Sequence, residues 1–228
     1  MIKKLTNTIL NFLFPVYCVG CKKENFHLCG DCSGKIPVKV TENHVNGLTV
    51  FAVADFKKDS SVAELIHRFK YDGAKEIAEI LGKLFNEIFF PPTFYAASAA
   101  PPTKRGAGIP HSTFLIPVPL HKKRFNFRGF NQSMLLAQEL SKKWNFPVAD
   151  ILQRHRYTQP QVELDGLKRL TNVTDAFSIK NPDEKLNPEA AYVLVDDVCT
   201  TGSTLNECSK ILKKHGVQKI IGLVIAKT

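Results

Sequence analysis

The stretch Val193–Thr204, VLVDDVCTTGST, constrains this chain more than any other. The apolar run Tyr192–Val195 reads as a buried parallel strand ending at two adjacent carboxylates, Asp196 and Asp197. A loop of small hydroxyl residues follows, and a helix is expected to begin near Ser203. Open α/β sheets bind ligands at the carboxyl ends of such strands. The loop's backbone N–H groups and the positive end of the helix suit an anion, most naturally a phosphate. Gly202 lets the backbone approach closely, and Thr200, Thr201, Ser203 and Thr204 add hydroxyl donors. The acid pair cannot serve that phosphate. It suits sugar hydroxyls or a magnesium ion beside it.

A phosphate cradle with acids at its mouth describes a ribose-phosphate site. The segment resembles the phosphoribosyl-pyrophosphate (PRPP) motif of type I phosphoribosyltransferases. That resemblance implies that Asp196 and Asp197 hold the ribose 2′ and 3′ hydroxyls. It gives Thr200, Thr201, Gly202, Ser203 and Thr204 the 5′-phosphate. Cys199 departs from the usual aliphatic residue, but a buried cysteine packs as a small hydrophobe. The bland alternatives are a Walker B-type strand end or an ordinary strand–turn–helix with a capping Ser or Thr. The chain has no G-x-x-x-x-G-K-[ST], so a P-loop is excluded.

With 228 residues the chain can hold one moderate domain and a small appendage. Its net charge of +10, from 31 Lys and Arg against 21 Asp and Glu, favours anionic partners, whether phosphorylated small molecules or nucleic acid. At the amino end, Thr6, Asn7, Thr8 and Asn11 interrupt the apolar residues before Pro15, and no small-x-small cleavage site follows. A short docked amphipathic helix is expected there rather than a signal peptide, with no membrane span and a cytoplasmic location.

Four of the six cysteines are spaced Cys18-x2-Cys21-x7-Cys29-x2-Cys32. Two such knuckles on a short connector can bring four thiolates to the corners of a tetrahedron, as in closed structural zinc sites. A segment this small cannot bury a core, and metal ligation can supply its folding energy. Two disulfides would suit a secreted chain, and an iron–sulfur cluster is the other alternative. A closed four-thiolate site has no open coordination position, so a scaffold or docking role is expected. His27 reads as a solvated loop residue, and Cys199 and Cys208 as packing.

Leu48–Asp55 alternates like an edge strand, and Ser60 is placed to cap a helix over Val62–Lys70. A second amphipathic helix is expected over Ile77–Phe90, a strand over Phe114–Val118, a helix over Asn131–Lys142, and a final helix and strand over Thr204–Lys214 and Val217–Ala226. Pro91–Thr113 is rich in Pro, Ala, Gly, Ser and Thr and reads as a long mobile insertion. His121–Arg128, HKKRFNFR, reads as a basic turn between strand and helix. Its His121, Lys122, Lys123, Arg124 and Arg128 are candidate pyrophosphate ligands. Phe125, Phe127 and Phe130 interleave with these cations, a pattern that suits either base stacking or packing on the sheet. Arg154–Phe177 joins two apparent strands, has few apolar residues, and reads as a lid or as a surface loop.

Taken together, the four-cysteine knuckle pair, FKYDG at Phe69–Gly73, PVPLHKKRFNFRGFNQ at Pro117–Gln132, the Arg154-to-Phe177 series and VLVDDVCTTGST resemble one family. It is the ComF-type competence proteins, of ComFC type, within the type I phosphoribosyltransferase superfamily. The resemblance implies a Rossmann-like parallel α/β fold over 48–228, with helices on both faces, behind an amino-terminal zinc module over 1–47. It makes His121–Arg128 the pyrophosphate loop and 154–177 a flexible catalytic lid. Arg154, Gln161 and Arg169 then join Asp196 and Asp197 as catalytic candidates. It implies Mg²⁺ with PRPP, structural Zn²⁺, and a role in natural transformation and the handling of single-stranded DNA. A DNA-uptake helicase or a recombination protein would be the partner. Members are often labelled amidophosphoribosyltransferases, but no cysteine follows Met1, so glutamine hydrolysis is not expected. From another class, a non-catalytic DNA-binding adaptor would use the same basic surface without turnover.

Overall fold

In the computed structural model, residues 15–58, 60–85, 113–157 and 175–228 are described. Five strands form the main sheet in the order β1-β2-β7-β6-β3. They are β1 (Thr41–Val45), β2 (Leu48–Asp55), β3 (Thr113–Pro117), β6 (Ala191–Cys199) and β7 (Lys219–Lys227). β2, β7, β6 and β3 run parallel, and β1 closes one edge antiparallel to β2. A separate antiparallel pair is formed by β4 (Leu152–Arg154) and β5 (Phe177–Ile179).

Period-two alternation sorts the strand residues onto two faces. From β6, Val193 and Val195 enter one core while Tyr192 and Leu194 enter the other, and β7 splits the same way with Leu223 and Ile225 against Val224. The first core is covered by helices α2 (Ser61–Tyr71), α3 (Ile77–Leu84) and α5 (Gln132–Trp144), through Leu65, Phe69, Leu81, Leu136 and Leu140. The cysteine-knuckle residues Cys18, Val19, Leu28, Cys29 and Ile36 share that core. The second is covered by α6 (Ser203–Lys214) and the β4–β5 pair, through Leu205, Leu212, Leu152 and Phe177. Two short helices complete the description, α1 (Gly30–Ser33) and α4 (Lys122–Arg128).

This α/β fold, with a mostly parallel sheet and helices on both faces, agrees with the expectation. Three local expectations do not. Leu48–Asp55 is not an edge strand, because the polar strand TENHV, which carries no apolar signal, pairs outside it. The β6 strand does not end at the acid pair. Pairing with β7 carries it on to Cys199, so Asp196 and Asp197 lie within the strand. The basic segment after β3 is not an open turn but the two-turn helix α4. His121 Nδ1 caps it by accepting from Lys123 N–H, and Gly129 (φ 76°) ends it.

Other expectations differ by a residue or fall elsewhere. Ser60 caps α2 by accepting from Ala63 N–H, and the helix starts at Ser61, one residue earlier than expected. Thr113, expected to close the insertion, is buried and opens β3. The expected amino-terminal helix, residues 91–112 of the expected 91–113 insertion and residues 158–174 of the expected 154–177 lid lie outside the described residues. The expected module boundary near residue 47 falls in the β1–β2 turn. Among the described residues, no helix is long and apolar enough to cross a membrane.

Candidate phosphoribosyl site and metal centre

Neighbouring parallel strands bring the two candidate phosphate segments together. β3 and β6 pair through Pro117 and Val195, and Val118 N–H donates to Val195 C=O at 3.0 Å. The segments leaving the two strands therefore emerge at the same sheet edge, α4 after β3 and the Thr200–Thr204 loop after β6. That edge is where parallel sheets place ligands.

Asp196 and Asp197 occupy this edge with their charges already engaged. Asp196 Oδ1 accepts from Ser133 Oγ and from Asp197 N–H, both at 2.9 Å. Ser133 lies in the first turn of α5, which Asn131 caps by accepting from Ser133 N–H. Asp197, 7 % exposed, forms a 2.9 Å ion pair with Lys70 at the last turn of α2. Burial first, and the neighbouring Asp197 second, push the Asp196 carboxyl up to about 6. The Asp197 amide, Lys70 and Ser133 act the other way.

The hydroxyl loop is shaped by its glycine. Gly202 adopts φ 72° at the N-cap of α6, and a Cβ there would lie 2.2 Å from Val45 Cγ1. Conformation and space thus both require glycine. Thr201 Oγ1 donates to Ser203 Oγ at 3.1 Å, and Ser203 is buried at the start of α6. A pocket of about 10 Å³ lies among Asp196, Val198, Cys199, Thr200, Gly202, Ser203, Thr204 and Leu205, room for roughly one water-sized group.

On the other side stand the cations. Arg124 and Arg154 are both half-buried, and burial, reinforced by their positively charged neighbours, lowers both guanidinium groups, Arg154 to about 10. Burial and then Arg154, Lys123 and Arg124 also lower His121, so it is a neutral capping group in this cluster. Lys122 and Lys123 are exposed, and Lys123 Nζ lies 5.0 Å from the Tyr157 ring centre. Arg128 stacks on Tyr71 at 5.4 Å and donates to Gln132 Oε1 at 3.0 Å. Arg154 ends β4, where it pairs with Phe177 across β4–β5 and packs on its ring at 5.1 Å. Gln161 and Arg169 lie outside the described residues.

The four knuckle cysteines converge with their sulfur atoms within 4.8 Å of one another. A tetrahedron with Zn–S arms of about 2.3 Å has S–S edges of about 3.8 Å, so the set fits a metal of that kind. Burial opposes ionisation of Cys18, but the backbone amides of Cys21, Cys29 and Gly20 outweigh it and bring the thiol down to about 6. Hydrogen bonding to Cys29 and Cys21, then burial, pushes Cys32 up to about 12. Four thiols this close share protons unless a cation takes their place. A Cβ on Gly20 would come within 2.7 Å of Cys32 Sγ.

His27 is not solvated as expected. Its side chain is only 12 % exposed, and Nε2 meets Glu76 Oε1 at 2.8 Å, tying the knuckle to the start of α3. Cys199 and Cys208 are buried, and burial raises both thiols, which suits packing rather than reactivity.

Sequence reading missed Lys70, Ser133 and Tyr157. Lys70 was visible within FKYDG, but nothing in that motif says which carboxylate its ammonium meets. Ser133 could have been found two residues past the capping Asn131, where a first-turn side chain faces the strand end.

Residues 131–227 match the family model described as the phosphoribosyl transferase domain. The chain is 32 % identical to Competence protein F of Haemophilus influenzae over 89 % of its own length and 86 % of that protein. It is 31 % identical to the DNA utilization protein YhgH of Escherichia coli K12, over 88 % and 78 % of the two chains. Competence protein ComFC of Bacillus subtilis is 29 % identical, over 67 % of this chain and 54 % of that one.

The raised Asp196 carboxyl makes a pH signature. Its folded value stands above the unfolded value near 3.8, so ionising it weakens the fold. That loss is absent below about pH 4 and complete above about pH 6. Asp196→Asn, which keeps an acceptor for Ser133, should therefore raise stability at pH 7 by up to about 3 kcal/mol. In denaturant titrations the gain should vanish towards pH 4. An equal gain at both pH values would contradict the burial argument.

Proposed function

The chain belongs to the ComF family of competence proteins, in the phosphoribosyltransferase superfamily, and from that premise we propose that it binds PRPP with Mg²⁺ and transfers phosphoribosyl groups in a cytoplasmic pathway that handles incoming single-stranded DNA. One observation carries the reading. An acid pair, a left-handed glycine and a hydroxyl-rich helix start succeed one another along one strand and its loop, and a basic helix succeeds the parallel neighbour.

In this reading Asp196 and Asp197 accept from the ribose hydroxyls. Thr200, Thr201, Gly202, Ser203 and Thr204 hold the 5′-phosphate with backbone amides and hydroxyls. The α4 cations Lys122, Lys123, Arg124 and Arg128 face the pyrophosphate, with His121 fixing the helix start. Mg²⁺, brought with PRPP, would neutralise charge on the departing pyrophosphate. Displacement at the anomeric carbon passes through a cation-like state, which the nearby carboxylates favour. Orientation of the ring by both phosphate sites supplies much of the rest. Arg154 at the lid's stem, with Gln161 and Arg169, would close the site against water. We assign the cysteine knuckles to a zinc module and the chain from β1 onward to the phosphoribosyltransferase-like domain, with 91–112 an insertion.

A second reading has its own observation. Phe127 and Phe125 are 75 % and 46 % exposed on α4, beside Lys122 and Lys123, whereas Phe130 is buried against Phe69. Exposed rings interleaved with cations suit stacking of single-stranded bases. The chain would then act as a DNA-binding adaptor that presents the strand to an uptake helicase or recombination protein, with or without turnover.

Calorimetry with PRPP and Mg²⁺ tests the first reading. Saturable binding is expected, weakened at least about 100-fold in Asp196→Asn/Asp197→Asn, where two charged acceptors are lost. Absence of heat in the wild type, or equal affinity in the double variant, would refute it. For the zinc module, purified protein should carry one Zn²⁺ per chain by elemental analysis. Cys29→Ser should lower that content and the melting temperature together. A metal-free wild type of full stability would remove the zinc assignment. For the adaptor reading, affinity for an oligo-dT strand should fall steeply with salt. Phe127→Ala should cost it about 5- to 100-fold. A flat salt response, or indifference to Phe127, would exclude α4 as the platform.

A further inference from the structure

Among the described residues, Lys70 has a partner at the candidate site that is also the ligand's expected partner. Its ammonium lies 2.9 Å from Asp197 Oδ1, with both side chains largely withdrawn from water, 21 % and 10 % exposed. A sugar hydroxyl donating to that oxygen competes with the lysine for it.

Surrounding groups hold the lysine's segment in place rather than letting it drift to solvent. Phe69 C=O, one residue before it, accepts from Gln132 Nε2 at 3.3 Å, and Gln132 is 2 % exposed. Gln132 in turn accepts from Arg128 on α4 through Oε1, and Arg128 stacks on Tyr71, one residue after Lys70. Lys70 is therefore paired to the acid pair from a stretch of α2 whose flanking residues are tied to Gln132 and to Arg128 of the basic helix.

Resting on that reading, we propose that Lys70 determines specificity, holding Asp197 until a ligand arrives with a pyrophosphate to take its ammonium. A buried ammonium stripped of its carboxylate is unfavourable unless another anion replaces it. PRPP supplies that anion, because its pyrophosphate lies on the α4 side of the sugar while its hydroxyls take over Asp197. Ribose 5-phosphate carries the same hydroxyls and 5′-phosphate but nothing for Lys70. The exchange thus disfavours the product-like sugar phosphate relative to PRPP without any steric barrier. The α2 segment Phe69–Tyr71 becomes part of ligand selection, a role that FKYDG did not reveal by pattern.

The test is calorimetry of wild type, Lys70→Met and Lys70→Arg with PRPP and with ribose 5-phosphate, each with Mg²⁺ at pH 7.5. The wild type should prefer PRPP by at least about 100-fold, the difference expected when one sugar gives the ammonium a new charge-assisted hydrogen bond and the other leaves it without a partner. Lys70→Met should narrow that ratio to below about 10-fold, by weakening PRPP and strengthening ribose 5-phosphate. Lys70→Arg should restore most of it. If Lys70→Met does not fold, Lys70→Met/Asp197→Asn removes both charges and should show the same narrowed ratio. A wild type that binds PRPP, with the ratio unchanged in these variants, overturns this inference alone. A wild type that binds neither sugar overturns the phosphoribosyl reading and this inference with it.

Discussion

Two carboxylates on consecutive residues of a buried strand repel each other, and the architecture around them reflects the need to hold both. Asp196 and Asp197 lie in β6, the strand between β7 and β3, where water is scarce. Burying an unpaired carboxylate costs several kcal/mol, so each must find a partner. Asp196 finds neutral donors, Ser133 Oγ and the next amide, which lower its penalty without cancelling its charge. Asp197 finds a full cation in Lys70. One positive charge against two negative ones leaves the pair short of compensation. Burial first, and that shortage second, push the Asp196 carboxyl up.

Helix α2 connects this constraint to the cysteine knuckles. Its Lys70 engages the acid pair, while Arg68, braced by Glu64 at 2.9 Å, donates to Tyr17 C=O at 2.7 Å just before the first knuckle cysteine. Between them Phe69, with Leu65 and Ile66, packs in the same core as Val19 and Leu28. His27 adds a second tie, to Glu76 at the start of α3. The cysteine module is therefore no appended bead. Whatever orders its four sulfurs also steadies the helix that supplies the acid pair's counter-ion, so a structural metal can matter to the site without approaching it.

Legibility tracked the strength of local signals. The parallel sheet was readable because Tyr192–Val195 is continuously apolar, and Ser60 announced its helix by position. The acid pair and Gly202 were readable because few arrangements need twin carboxylates followed by a left-handed turn. TENHV was not, since a short polar edge strand has no pattern of its own and exists only because β2 offers it a ladder. HKKRFNFR looked like a loop because its charges mask helical periodicity. Its helix is set by the ends, a histidine cap and a left-handed glycine, rather than by an apolar face. The Lys70–Asp197 pair spans more than a hundred residues, and no periodicity encodes it.

The same long-range pair decides how the two proposed activities relate. Phosphoribosyl binding draws on charges inside the sheet edge, where Asp196, Asp197 and Lys70 are screened from salt by burial. Strand binding draws on the outer surface of α4, where Phe125 and Phe127 face water beside Lys122 and Lys123, the exposed cations that the phosphoribosyl reading also gives to the pyrophosphate. One seven-residue helix carries both, with Arg124 half-buried within reach of Asp197's charge, Arg128 held on Tyr71 and Gln132, and its exposed residues towards solvent. A ligand that draws the inner cations inward must fix the helix that presents the outer rings. Coupling between the sites therefore needs no separate device, only the rigidity of two helical turns pinned at one end by His121 and at the other by the Arg128–Gln132–Phe69 chain of hydrogen bonds.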